Sequence, residues 1–218
     1  LAPDVLMIDL EYIRINESDV QYGSLLGEGA FGSVYNCTYK DKQLAAKKLQ
    51  QVTEESFDEF SKEVSLMSKL QHPNLVNLVG FCTFPFVILL ELVNHGELYN
   101  FLHEPSLYSS LDWRMRTRIV IDIARGMSFL HSLNPPVIHR DLKSPNVLLT
   151  SLSIPSPDHL ETPIAKISDF GLSTHLVAKM KQSTAKRDVQ MPTWLAPEVL
   201  RAEGYGEKSD CYALGIIM

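Results

Sequence analysis

Apolar positions along this chain follow two rhythms. Between residues 21 and about 92 the apolar runs are mostly short and rich in β-branched and aromatic residues, which predicts strands. Val34, Tyr35, Cys37, Thr38 and Tyr39 make one such run, and Leu44-Ala45-Ala46-Lys47 another. Alternation in the second puts Ala45 and Lys47 on one face and turns Lys48 the other way. One interval breaks this rhythm. Phe57, Phe60, Val64, Met67 and Leu70 recur at helical spacing, with Glu63 lying beside their stripe. A carboxylate there needs a partner, because an unpaired charge at a buried face is costly. From about residue 93 onward the pattern is helical. Asp112 is placed to cap a helix carrying Trp113, Val120, Ile123, Met127 and Leu130, and Asn134-Pro135-Pro136 closes that region. Thr150–Pro163 is rich in Ser and Pro and predicts a surface loop between two short strands, the second being Ala165-Lys166-Ile167. Residues 1–20 are an acidic and aliphatic lead-in, a linker or docking strand.

Composition narrows the class. A chain of 218 residues with 45% apolar and 21% charged positions can bury a sizeable core as a globular protein. Its net charge of −6 argues against a nucleic-acid binder, whose footprint is basic. Cys37, Cys82 and Cys211 lie far apart without a C-x-x-C pair, which fits buried thiols in a reducing, cytoplasmic setting. The apolar run Phe81–Val93 is interrupted by Thr83, Pro85 and Glu91 and is too short to span a membrane. No signal peptide is visible.

The chemistry concentrates in His139-Arg140-Asp141-Leu142-Lys143-Ser144-Pro145-Asn146. That stretch offers an acid that can accept a proton, a lysine that can neutralise phosphate and an amide that can hold a metal. Phosphoryl transfer needs those parts, since the enzyme mostly positions reactants and stabilises charge. Upstream lies Gly27-Glu28-Gly29-Ala30-Phe31-Gly32-Ser33-Val34. Dinucleotide folds also use G-x-G-x-x-G, but there it opens a helix, whereas here a β-rich run follows. The loop therefore joins two strands, and its glycines let backbone N–H groups approach phosphate oxygens closely. Downstream come Asp169-Phe170-Gly171 after the strand Ala165-Lys166-Ile167, and then Ala196-Pro197-Glu198.

The ordered set of Gly loop, strand lysine, helix glutamate, H-R-D…N, D-F-G and A-P-E resembles a eukaryotic protein kinase over residues 21–218. Within the tyrosine-kinase-like group it is most similar to the leucine-rich-repeat kinase/Roco family. Leu1-Ala2-Pro3-Asp4 with Asp9-Leu10, Leu26-Gly27-Glu28-Gly29, Phe31-Gly32-Ser33-Val34-Tyr35, His72-Pro73-Asn74-Leu75 and the long insert before Ala165 carry that likeness. The resemblance implies an α+β, bilobal protein-kinase-like fold. Residues 1–20 would be an N-terminal extension. Residues 21–92 would be a β-rich N-lobe with its αC helix, and 93–218 a mainly helical C-lobe. Asp210-Cys211-Tyr212-Ala213-Leu214-Gly215 would begin the central αF helix, which Met218 cuts short. The chain is thus expected to be incomplete and unstable alone, and to lack the arginine with which the family pairs Glu198.

The resemblance also assigns roles. Asp141 would orient the substrate hydroxyl and accept its proton, and Lys143 would stabilise charge on the γ-phosphate. Lys47, held by Glu63, would position the α/β-phosphates. Asn146 and Asp169 would hold Mg²⁺. Gly27, Gly29 and Gly32 would cover the phosphates. Val34, Ala45 and Leu148 would sandwich adenine, Glu91 and Val93 would meet it through the backbone, and Leu90 would be the gatekeeper. Met67, Leu78, His139 and Phe170 would form the regulatory stack. The cofactors implied are ATP and Mg²⁺. The partners implied are a protein substrate with a Ser or Thr acceptor and a GTPase domain in the same full-length protein.

One departure bears on substrate class. Gln190-Met191 stands where Ser/Thr kinases usually carry Gly-Thr, and methionine cannot donate the hydrogen bond of that threonine. Lys143 still favours Ser/Thr transfer. A serine/threonine protein kinase is therefore expected. The alternatives are a silent pseudokinase scaffold, a dual-specificity or tyrosine kinase, and a small-molecule phosphotransferase of related fold. Ser183 and Thr184, among Lys179, Lys181, Lys186 and Arg187, are expected to be phosphorylated and to dock on Arg140, ordering their loop.

Overall fold

Strand pairing begins where β-branched and aromatic residues alternate. In the computed structural model, which describes residues 9–29, 32–49, 54–155, 162–171, 173–175 and 192–218, the strands are β1 (Gln21–Gly29), β2 (Gly32–Tyr39), β3 (Lys42–Lys48), β4 (Leu78–Thr83) and β5 (Phe86–Glu91). They form one antiparallel sheet in the order β1-β2-β3-β5-β4. Helix α1 (Glu54–Met67) belongs to the same unit. The period of two gives the sheet two apolar faces. Cys37, Leu44, Ala46, Val87 and Leu89 pack with Ile15 and Val20 on one side. Phe81, Phe86 and Ile88 pack with Phe60 and Val64 of α1 on the other. The helix stops at Met67, so Leu70, expected on its stripe, is buried from the turn beyond it.

The lead-in is part of this unit. Arg14 makes a parallel bridge to Phe81, and the Ile15 N–H donates to the Phe81 carbonyl at 2.9 Å. Arg14 Nη2 also donates to Thr83 Oγ1 at 2.9 Å. The approach is close enough to demand a glycine: a Cβ on Gly80 would lie 2.8 Å from the Ile15 side chain and 2.9 Å from the Ile13 carbonyl oxygen.

This first unit comprises residues 1–71 and 76–92, and the second comprises 72–75 and 93–218. The second unit is mainly helical: α2 (Leu98–His103), α3 (Pro105–Tyr108), α4 (Trp113–Ser132), α5 (Pro197–Leu200) and α6 (Glu207–Ile217). Its short strands pair as β6 (Val137–Ile138) with β9 (Thr174–His175), and β7 (Val147–Leu149) with β8 (Ala165–Ile167). The α+β kinase-like fold expected from the motifs is thus present.

Asp112 caps α4, its carboxylate accepting from the Met115 N–H at 2.8 Å. The buried stripe of that helix is Met115, Ile119, Ile123, Met127 and Leu130. The helix carries Trp113 and Val120 as expected, but neither lies on that buried stripe. Trp113 is 81% exposed and Val120 only half-buried. Trp113 stands two residues before Met115, about 200° round a helix of 3.6 residues per turn, and so faces away from the core. The Arg116 guanidinium lies 5.8 Å from its ring and 4.4 Å from the Tyr108 ring. Among the cysteines, Cys37 and Cys82 are buried, but Cys211 is exposed on α6. No helix among the described residues is long and apolar enough to cross a membrane. Several expectations fall outside the described residues: Leu1–Asp4, Ala30, Phe31, Gln190 and Met191, and the phosphosites Ser183 and Thr184 with Lys179, Lys181, Lys186 and Arg187.

Candidate functional site

In the first unit the β1–β2 hairpin carries the glycine loop, with Gly27 opposite Val34, Glu28 opposite Ser33 and Gly29 opposite Gly32. Gly32 has φ +140°, and a Cβ there would strike the Lys48 carbonyl. Glycine is therefore required by the protein itself. Gly27 differs: a Cβ there would meet no described atom within 4 Å. On β3, Lys47 Nζ lies 2.7 Å from Glu63 Oε1 of α1, and both side chains are largely buried. Strand pitch turns Lys48 the opposite way, toward Glu17 at 3.7 Å. Ala45 and Leu44 stand opposite Leu90 and Glu91 on β5. The Glu91 carboxylate accepts from the backbone and side-chain nitrogens of Asn77 at 2.8 and 3.0 Å. Met67 is buried, and Leu78 packs at the margin of the Phe60 cluster.

In the second unit a buried carboxylate anchors the loop after β6. The Asp210 carboxylate of α6 is buried. It accepts from the backbone N–H of His139 at 2.8 Å and of Arg140 at 3.0 Å, and from His131 Nε2 at 3.0 Å. These bonds hold Arg140 at φ +69°, an uncommon conformation for a side chain of that size. His139 is fully buried. Its Nδ1 accepts from the Asp141 N–H at 3.3 Å and its Nε2 donates to the Ser168 carbonyl at 3.1 Å, which defines the tautomer. Its ring meets Phe170 edge-on at 5.3 Å. The Arg140 guanidinium lies 4.7 Å from the centre of the Tyr205 ring.

The loop brings three of the expected residues together. Asp141 Oδ2 is 3.0 Å from Lys143 Nζ and accepts from Asn146 Nδ2 at 2.9 Å, while the same amide nitrogen donates to the Asp141 carbonyl at 2.8 Å. Asp169 follows Ser168, whose N–H and hydroxyl both donate to the Asn146 carbonyl, at 2.9 and 3.1 Å. Asp169 itself sits at φ +62°. Leu148 lies on β7 opposite Lys166 and bridges to Glu97. Val93 is half-buried. Desolvation raises the Glu97 carboxyl above its ordinary range, against the pull of Lys143. Burial likewise pushes the Cys37 thiol up in the first unit.

Three residues that position this site were given no role by motif reasoning. The sequence marks Asp210 only as the start of a helix. Asn74 donates from Nδ2 to the Ala165 carbonyl at 3.1 Å and accepts the Ile167 N–H at 2.9 Å. Asp122 is buried on α4 and accepts from the N–H groups of Ile164 and Ala165. The only signal available for Asp122 was a lone acid among the apolar residues of a helix. Glu198, expected to need an arginine, accepts from the Ser209 hydroxyl at 3.1 Å.

A family model described as protein tyrosine and serine/threonine kinase matches residues 20–218. The probable serine/threonine-protein kinase roco6 of Dictyostelium discoideum is 41% identical over 214 residues, covering 95% of this chain and 10% of the relative. The probable serine/threonine-protein kinase roco8 of the same organism is 46% identical over 164 residues, 75% of this chain and 8% of the relative. The serine/threonine-protein kinase CTR1 of Arabidopsis thaliana is 38% identical over 220 residues, 98% of this chain and 25% of the relative. The chain thus spans a quarter of that plant relative's length and 10% or less of the two Dictyostelium ones.

Proposed function

Because the chain belongs to the protein tyrosine and serine/threonine kinase family, as a kinase domain of the Roco-like kind, we propose that it phosphorylates protein Ser and Thr hydroxyls from ATP with Mg²⁺. The observation that carries this reading is the clustering of Asp141, Lys143 and Asn146 around one carboxylate oxygen. Asp141 Oδ2 takes the proton of the attacking hydroxyl as its oxygen bonds to the γ-phosphorus. The bond to the β–γ bridging oxygen breaks, and ADP leaves with that electron pair. Lys143 screens the charge on the transferring group. Lys47, fixed by Glu63, holds the α/β-phosphates. Gly27, where a Cβ would meet no described atom within 4 Å, gives the phosphates room to approach the backbone. Val34, Ala45, Leu148, Glu91 and Val93 take the adenine.

The residues fit magnesium by donor type. Asn146 commits its side-chain amide nitrogen to Asp141, and its side-chain oxygen and the Asp169 carboxylate are the hard-oxygen donors that would hold the ion. When bound, Mg²⁺ would neutralise the charge that develops on the phosphate oxygens. Intact Lys47, Glu63, Asp141, Asn146 and Asp169 favour an enzyme over a silent scaffold. Lys143, two residues after Asp141, favours Ser/Thr acceptors. The lead-in, the two units and a GTPase domain elsewhere in a longer cytoplasmic protein complete the proposal.

Asp141→Asn in the full-length protein tests it. Transfer to protein substrate, read by phosphoamino-acid analysis, is expected to fall by about 10²–10⁴-fold with nucleotide affinity nearly unchanged. Near-normal turnover would overturn the assignment.

A further inference from the structure

The two metal-ligand candidates sit at one end of a very small ribbon. Asn146 immediately precedes β7, and Asp169 follows β8 by two residues. Each strand has three residues. An isolated ribbon of that size has marginal stability, so its position is set by what grips it. Asn74 grips both ends of β8, through the Ala165 carbonyl and the Ile167 N–H. The far end is also gripped by a charge. The carboxylate of Asp122, fully buried on α4, accepts from the N–H of Ile164 at 2.7 Å and of Ala165 at 3.3 Å.

Burying a carboxylate is costly unless it is paired and hydrogen-bonded. Here Arg118, one turn earlier on α4, supplies the pair: Nε donates to Asp122 Oδ1 at 2.9 Å, while Nη2 donates to the Thr162 carbonyl at 2.9 Å. Arg118 therefore clasps both the carboxylate and the chain entering β8. One turn later, Gly126 lets α4 come close to the same strand. A Cβ there would lie 2.9 Å from the Ile167 side chain and 3.1 Å from the Asn74 carbonyl oxygen. Arg118, Asp122 and Gly126 recur every four residues, which puts them on one helix face.

We propose that Asp122, clasped by Arg118, is a positioning residue for the Mg²⁺ pair: it fixes the height of the β7–β8 ribbon on α4 and so the placement of Asn146 and Asp169. The proposal rests on the kinase reading. It parallels the service of Asp210 to the loop 139–141, since each buried aspartate collects two successive backbone N–H groups from a segment that ends in a catalytic or metal-binding side chain.

The test compares the full-length protein with its Asp122→Asn and Arg118→Gln variants. Asparagine keeps the shape but loses the charge that pairs with Arg118. Arg118→Gln leaves the carboxylate in place and removes its clasp, which keeps the test open if Asp122→Asn fails to fold. Two readouts are taken. Hydrogen exchange at the Ile164–Ile167 amides, without metal or nucleotide, is expected to speed up in both variants, while β3 and β5 amides keep the parent rates. The Mg²⁺ concentration giving half-maximal tight ADP binding is expected to rise on the order of ten-fold, with metal-free ADP affinity unchanged. A folded variant with parent-like Mg²⁺ dependence and parent-like β8 exchange overturns the proposal. A loss of ADP affinity equal with and without Mg²⁺ also overturns it, because that is a general loosening. A parent protein without Mg²⁺-dependent ADP binding would sink the kinase reading instead, and β8 exchange would still decide whether Asp122 holds the strand.

Discussion

His72 lies face to face with Phe129, ring centroids 4.9 Å apart, and its Nδ1 accepts from the Asn74 N–H at 3.1 Å. Both contacts suit a neutral ring. Burial holds its pKa below the ordinary histidine value, helped by Arg125 and Lys166. The unfolded chain, with a histidine pKa of about 6.5, therefore takes up this proton more readily than the folded one. The stability tied to neutral His72 is full above about pH 6.5 and drains away as pH falls through the lower folded value. Replacing it by phenylalanine keeps the stack and removes the titration. The loss of denaturant midpoint between pH 7.5 and 5.5 is expected to be smaller in His72→Phe than in the parent. An equal loss in both would show that other groups set the acid sensitivity. Motif side chains such as Lys47, Asp141 and Asn146 were legible in the sequence because their types and spacing are constrained by one reaction. Asp122 and Asp210 were not, since each serves backbone groups, and any segment offers those.

Among the elements, α4 shows where local reading succeeds and where it stops. Its start was legible in Asp112, because a cap is a bond between near neighbours, here Asp112 and Met115. Asp112→Ala is expected to cost about 1 kcal/mol, read as a lowered urea midpoint with unchanged slope. No shift would mean that water replaces the cap. Its buried face was less legible. Large aromatics mark a core on average, yet Trp113 at the first turn points outward, and the stripe is carried by Met115 and Ile119 instead. Helix α1 shows the same limit at its other end, where Leu70 reaches the core after the helix has ended.

Across the whole molecule, chain order and membership of the two units part company at His72–Leu75, which belong with residues far downstream. Nothing in that tetrapeptide announces it, because the bonds that decide it run from Asn74 to Ala165 and Ile167. The units should therefore respond separately. Asn74→Ala is expected to raise hydrogen exchange in β8 and leave the β3 and β5 amides at their parent rates. Loss of protection in both would show that the damage is shared.

The family match begins at residue 20, so a chain trimmed to it would lack Arg14 and Ile15. The Phe81 carbonyl would then lose its donor, and Gly80 would offer no side chain to keep a visitor away. A bared outer strand is a template for another chain. Protein starting at Val20 is expected to self-associate as its concentration rises, seen as growing light scattering. Protein that keeps residues 9–19 should scatter as a single small species at the same concentrations.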